Sequence, residues 1–143
     1  MLKGIPKIMS PELMKVLLEM GHGDEIVLAD GNFPAASCAS RLIRCDGHGV
    51  KELLDPILTF FPLDTYSENS VSLMQVVEGD PTKPLIWKDY CSVIKKHDQH
   101  FTSFEMLDRF SFYERSKKAY AIVATSENAL YANIILKKGV VVE

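Results

Sequence analysis

Near the start of the chain the apolar positions recur at helical spacing. Leu13, Val16, Leu17 and Met20 stand three and four residues apart and share one face of a helix predicted over residues 11–20. Ser10 suits the N-cap, Pro11 the first helical position and Gly21 the end. The period then changes. Glu25-Ile26-Val27-Leu28-Ala29-Asp30 is a short apolar run closed by Asp30 and Gly31, the pattern of a strand buried on both faces. Residues 32–34 follow as a loop. Residues 51–60 predict a helix that Pro56 should kink or split. Beyond it come a strand over 71–78, a turn over 79–81 and a second long helix over 83–96. A short helix is expected over 109–118, with further buried strands over 119–125 and 134–137. Helices alternating with apolar strands imply an α/β fold, a layered sheet with flanking helices, in a single domain over 1–143.

Composition narrows the function more than the fold. The net charge is -3, and the only basic clusters are Lys95-Lys96, Arg115 to Lys118 and Lys137-Lys138. Each is short and reads as a solvated face or helix end, so nothing here recruits nucleic acid or an anionic membrane by counterion release. No apolar run approaches the ~18 residues of a membrane span, and the opening Met-Leu-Lys-Gly-Ile-Pro lacks a signal-peptide pattern. Cys38, Cys45 and Cys91 make an odd count without a C-x-x-C pair. Neither a disulfide nor a zinc site is expected, and a reducing cytoplasm fits. Dinucleotide, phosphate-loop and Gly-x-Ser-x-Gly patterns are missing, so no cofactor is expected.

Three polar clusters remain as candidates for chemistry. In the first, His22 lies between Gly21 and Gly23, which let the backbone bend and leave the imidazole open. Histidine exchanges protons near neutral pH, and Asp30 at the far end of the strand could orient a hydroxyl or a histidine proton. The plainer reading is a surface histidine in a turn. The second is Arg109-Phe110-Ser111-Phe112-Tyr113-Glu114-Arg115. Tyr113 could move a proton if tuned, and Arg109 offers a rigid fork of donors. The plainer reading is an amphipathic helix, with Phe110, Phe112 and Tyr113 in the core and Glu114, Arg115, Lys117 and Lys118 solvated. In the third, Tyr131 and Asn133 project the same way if the backbone is extended. A ring packing on a sugar's C–H face beside an amide that bonds its hydroxyls would suit a carbohydrate; the alternative is a turn. His48, His97 and His100 lie in polar loop sequence without partners at metal-ligand spacing. Trp87 reads as helix packing.

Four segments, in order along nearly the whole chain, resemble the family of fucose mutarotases and ribose pyranases. They are Leu2-Lys-Gly-Ile-Pro6 through Leu13, Met20-Gly-His-Gly-Asp-Glu-Ile-Val-Leu-Ala-Asp30 with Asn32-Phe33-Pro34, Arg109-Phe-Ser-Phe-Tyr-Glu-Arg115, and Tyr131-Ala-Asn-Ile-Ile-Leu-Lys-Lys-Gly139. Phe-Tyr-Glu-Arg and Leu-Lys-Lys-Gly favour the fucose branch. Ala132 stands where that branch has glycine and the ribose branch alanine, which keeps pyranose–furanose exchange of D-ribose as the alternative. A non-catalytic sugar-binding module is the alternative from another class. The resemblance implies a ribose-pyranase-like fold and exchange of L-fucose anomers without metal or cofactor. It implies His22 and Tyr113 as catalytic residues, and Asp30, Asp64, Met74, Arg109, Tyr131 and Asn133 as sugar-binding positions. It also implies a ring-shaped homo-oligomer, a decamer of two stacked pentamers, with sites between neighbouring subunits.

Overall fold

Ser10 Oγ accepts a hydrogen bond from the Leu13 N–H at 3.1 Å, and Pro11 opens the first helix, α1 (Pro11–Glu19), as its sequence predicts. Leu13, Val16 and Leu17 are its buried stripe; the chain turns extended at Met20, one residue before the expected glycine. Gly23, at φ +86°, then reverses the chain into β1 (Glu25–Ala29). The computed structural model describes residues 1–143.

One six-stranded mixed sheet organises the rest. Besides β1 it contains β2 (Leu42–Cys45), β3 (Val71–Met74), β4 (Glu105–Leu107), β5 (Ala121–Thr125) and β6 (Ile134–Lys137), in the order β2-β5-β1-β6-β3-β4. At its centre β1 runs parallel to β5 and antiparallel to β6, with Glu25 opposite Lys137 and Leu28 opposite Ile134. Helices cover both faces: α1, α3 (Val50–Phe60) and α4 (Ile86–His97) on one side, α2 (Ala35–Cys38) and α5 (Arg109–Lys118) on the other. The strand period divides the core accordingly. Ile26 and Leu28 join a large cluster with Leu13, Leu53, Ile57 and Ile94, whereas Val27 and Ala29 join a smaller one with Phe33, Met74 and Phe112. Burial on both faces explains why β1, β5 and β6 read as continuous apolar runs.

Several expectations need correction. Pro56 does not split α3, which runs through it. The missing N–H costs one bond, and burial of Val50, Leu53, Leu54, Ile57 and Leu58 holds the helix against the sheet. The strand expected over 71–78 stops at Met74, after which the Gln75 N–H makes a last bond to the Leu107 carbonyl. In α5, Phe110 is three-quarters exposed, not core. Arg115, expected in solvent, turns inward: it donates to both Glu25 carboxylate oxygens and, at 3.0 Å, to Glu105, which pins α5 to β1 and β4. No helix is long and apolar enough to cross a membrane.

Candidate active site

The predicted residues fall in two places, at opposite edges of the central strands. At the carboxyl end of β1, Asp30 leaves the sheet beside the start of β6. Its N–H donates to Asn133 Oδ1 at 2.7 Å, while its own Oδ1 accepts from the Asn32 N–H at 3.0 Å. Both side chains are buried. Burial pushes the Asp30 carboxyl above its ordinary value; the N–H groups of Asn32, Ala132 and Phe33 pull it back only in part, and the Glu127 charge adds to the rise. With Asn133 Oδ1 occupied, the free donors of that amide belong to Nδ2.

Asp30 and Asn133 line a cavity of about 210 Å³ whose walls include Met74, Tyr113 and Tyr131. Phe33, Asp80, Asn32 and Leu130 complete it. The Tyr113 ring stands edge-on to Phe33, with centroids 5.4 Å apart. Arg109, one turn earlier on α5, donates through Nε to Tyr113 Oη at 3.3 Å and lies over its ring. Its own position is the adjoining hollow beside Gln75, Val77 and Asp108. Larger hollows occur elsewhere, such as one of about 320 Å³ between the end of α3 and Val141. None of them gathers a buried carboxylate, an amide and aromatic walls, the mixture that fixes a polyhydroxylated ligand.

Tyr131 and Asn133 do converge on one cavity, but not by the alternation of an extended strand. Tyr131 lies in the left-handed region at φ +57°, so a turn brings the two side chains together. Its hydroxyl donates to Asp80 at 2.6 Å and accepts from the Val77 N–H at 3.3 Å. Trp87 serves this turn as well as packing, since its indole N–H donates to the Tyr131 carbonyl at 2.8 Å.

His22 lies at the other edge, before β1. Its Nε2 is 3.0 Å from Asp64 Oδ1, and its ring packs tilted on Tyr66 at 5.1 Å. Asp64 follows the bridge between Leu63 and Lys138, beyond the carboxyl end of β6, and its N–H donates to the Lys137 carbonyl. Burial pushes the Asp64 carboxyl up, but bonds from Ser67 Oγ, the Tyr66 N–H, His22 and the Ser67 N–H outweigh it and hold the group well below the usual carboxylate range. Asp64, not Asp30, is therefore the carboxylate that orients His22, and the structure brings it to the histidine instead of the cavity. The length of β1 lies between the two places, roughly 16 Å at ~3.3 Å per residue. The remaining histidines do not line the cavity. His97 pairs with Asp55 at 2.6 Å, His48 with Glu52 at 3.3 Å, and His100 is exposed.

Phe33, Asn32, Leu130 and Asp80 line the cavity without having been singled out from the sequence. Asn32-Phe33-Pro34 follows Asp30 after one glycine, and that proximity is a usable signal; Gly79-Asp80-Pro81 carries only the signature of a turn.

A model of the RbsD / FucU transport protein family matches residues 3–141. The chain belongs to this family. The fucose mutarotase of Mus musculus is 54% identical over 144 residues, covering 96% of this chain and 94% of that protein. A crystal structure of the fucose mutarotase from Streptococcus pneumoniae in complex with L-fucose is 61% identical, covers 99% of this chain and 100% of its own, and superposes with a TM-score of 0.95. Bacillus subtilis RbsD complexed with D-ribose is 20% identical with a TM-score of 0.71 over 94% of this chain, a likeness of fold alone. The layered α/β sheet read from the sequence is thus a fold that the family's fucose and ribose branches share.

Proposed function

We propose that this family member is an L-fucose mutarotase, interconverting the α and β anomers by ring opening and closure. One observation carries the reading: a fucose mutarotase solved with L-fucose shares most of its sequence and nearly all of its backbone with this chain, whose own cavity joins a buried carboxylate, an amide and aromatic walls. Ala132, the residue that resembles the ribose branch, is fully buried and does not line the cavity, which favours the fucose reading.

Mutarotation needs two positioned proton-transfer groups. The anomeric hydroxyl loses a proton as the ring oxygen gains one, the C1–O5 bond breaks, C1–C2 rotates, and the ring closes on the other face. In this reading His22 protonates the ring oxygen and recovers the proton on closure, while Asp64 holds the imidazole and balances its charge. Tyr113 serves the anomeric hydroxyl, directly or through a water, with its phenol oriented by Arg109. Asp30, Arg109 and Asn133 fix the other hydroxyls, and Met74 and Tyr131 pack on the sugar's carbon face. Positioned proton transfer typically contributes about 10²–10⁴-fold.

His22 and the cavity of one chain stand a strand length apart, so the reading requires two copies. The partner subunit's His22 completes the cavity of its neighbour in a ring-shaped homo-oligomer, a decamer of two stacked pentamers. Exposed apolar groups rim both halves, Tyr66 beside His22 and Leu130, Phe110 and Val77 around the cavity, which suits burial between copies. Three free cysteines accord with a cytoplasmic enzyme.

Saturation-transfer NMR on the anomeric protons of L-fucose and D-ribose, with and without the protein, tests the function. Fast exchange on fucose and slow exchange on ribose is expected. Exchange mainly on ribose would move the protein to pyranase chemistry, and none on either sugar by folded oligomer would leave a binding module.

A further inference from the structure

A tyrosine in the left-handed region is uncommon, and Tyr131 is the only non-glycine residue of the chain at positive φ. Two side chains hold it there from outside the turn. Trp87 Nε1–H donates to its carbonyl at 2.8 Å, and Asp80 Oδ2 accepts from its hydroxyl at 2.6 Å. A third bond, from Tyr90 Oη to the Ala132 carbonyl at 2.7 Å, secures the next residue. Asp80 is itself immobilised, because its other oxygen accepts from both the N–H and the Oγ1 of Thr82, at 2.9 and 2.6 Å. A phenol carries one proton. That of Tyr131 is committed to Asp80, and the same oxygen already accepts from the Val77 N–H. What Tyr131 can present to the cavity is therefore its ring.

We propose that Asp80 is a positioning residue of the sugar site: by taking the Tyr131 phenol proton it locks that ring as an apolar wall and keeps the hydroxyl from acting as a donor toward the sugar. The proposal rests on the mutarotase reading. Asp80 also lines the cavity, so a direct contact with the sugar is the competing role, and the two make different predictions. A residue acting through Tyr131 is energetically coupled to it; a residue bonding the sugar independently is not.

The test is a double-mutant cycle of Asp80→Ala and Tyr131→Phe in the full-length oligomer, read as KM and kcat for L-fucose anomer exchange. Asp80→Asn serves as a second single variant, since its Oδ1 can keep the Thr82 bonds. Each single change should raise KM about tenfold, the scale of one lost hydrogen bond to a charged group, with kcat within about threefold. The double variant should be no worse than either alone. A spectroscopic readout that needs no sugar accompanies it. With tyrosine labelled at the ζ carbon, the Tyr131 resonance, identified by its loss in Tyr131→Phe, should titrate at lower pH in Asp80→Asn. The carboxylate that raises this phenol's pKa is then gone. Multiplicative losses in the double variant, or an Asp80→Ala enzyme with KM within twofold of wild type, would overturn the proposal. Absence of exchange by the wild-type protein appears before any variant is made and overturns the functional reading instead.

Discussion

The two ends of β1 solve different problems. At one end His22 is exposed, and a single buried carboxylate, Asp64, holds it. At the other end Asp30 and Asn133 are buried and bonded to each other, with further bonds reaching the turn at Tyr131 from α4 and the 77–82 loop. The end proposed to transfer protons is open, and the end proposed to bind the sugar is prefabricated. In the proposed mechanism the histidine reaches a neighbour's cavity and so has to protrude, whereas a cavity that discriminates between hydroxyls has to be rigid before the sugar arrives. The carboxylates diverge in the same sense. Hydrogen bonds keep Asp64 ionised, while burial raises Asp30.

Removing one end from some chains and the other end from the rest has the largest expected effect. His22→Ala should lower exchange of L-fucose anomers by about 10²–10⁴-fold while leaving oligomer size unchanged by ultracentrifugation. Asn133→Ala should be similarly impaired through the cavity. If the ends act across subunits, co-assembling the two inactive variants regenerates some sites with both ends intact, up to about a quarter of the wild-type number for random mixing of equal amounts around closed rings. No recovery from demonstrably mixed oligomers would mean that each chain works alone, against the separation imposed by β1.

A smaller effect distinguishes the carboxylates by pH. The depressed Asp64 carboxyl contributes stability that is present above the unfolded carboxylate range, ~4, and is lost as pH falls toward its folded value. Asp64→Asn should therefore destabilise most at neutral pH, by about 2 kcal/mol on the scale of hydrogen bonds to a charged group, and somewhat less at pH 3.5, where the loss has only begun. Asp30 has the opposite sign. Its folded value is raised, so its contribution is present below the unfolded range and fades as pH rises through the folded value. Asp30→Asn should be neutral or stabilising at pH 7 even as it impairs sugar binding. Urea melts of both variants at pH 3.5, 5 and 7 check the pair, and parallel pH trends would remove the electrostatic distinction between the ends.

The residues at both ends were legible in the sequence; their partition was not. Long periodic segments announced α1, α3, α4, α5 and the central strands, because burial on one face or on both leaves a period that can be counted. The elements that escaped, β2, β4 and α2, are three or four residues long and partly exposed, whereas the equally short β3 and β6 are buried and stand out as apolar runs. Motif resemblance carried His22, Asp30, Asp64, Met74, Arg109, Tyr113, Tyr131 and Asn133. Yet the separation of His22 and Asp64 from the others follows from β6 running antiparallel to β1, which sets Lys137 beside Glu25 and Ile134 beside Leu28. Strand direction is a property of the assembled sheet, and no local pattern encodes it. Asp80 was missed for a related reason. Its neighbours in sequence predict only a turn, and its partner Tyr131 is 51 positions away.

The mildest prediction concerns Ala132, the one position in the Tyr131-Ala132-Asn133 segment that resembles the ribose branch. Its methyl is buried within the protein and its carbonyl accepts from Tyr90. Since it does not line the cavity, Ala132→Gly should leave the ratio of fucose to ribose exchange within about twofold, the effect of well under one hydrogen bond. Stability should move instead. Losing a buried methyl and gaining glycine's backbone freedom together cost about 1–2 kcal/mol. That glycine lies next to Tyr131, whose left-handed conformation depends on the same turn, so any kinetic change should appear in KM for both sugars alike. A shift of preference toward one sugar would show that the backbone at 132 shapes the hydroxyl pattern the site accepts. Specificity would then reside in the turn as much as in Asp30 and Asn133, and the cavity end would be less rigid than its hydrogen bonds imply.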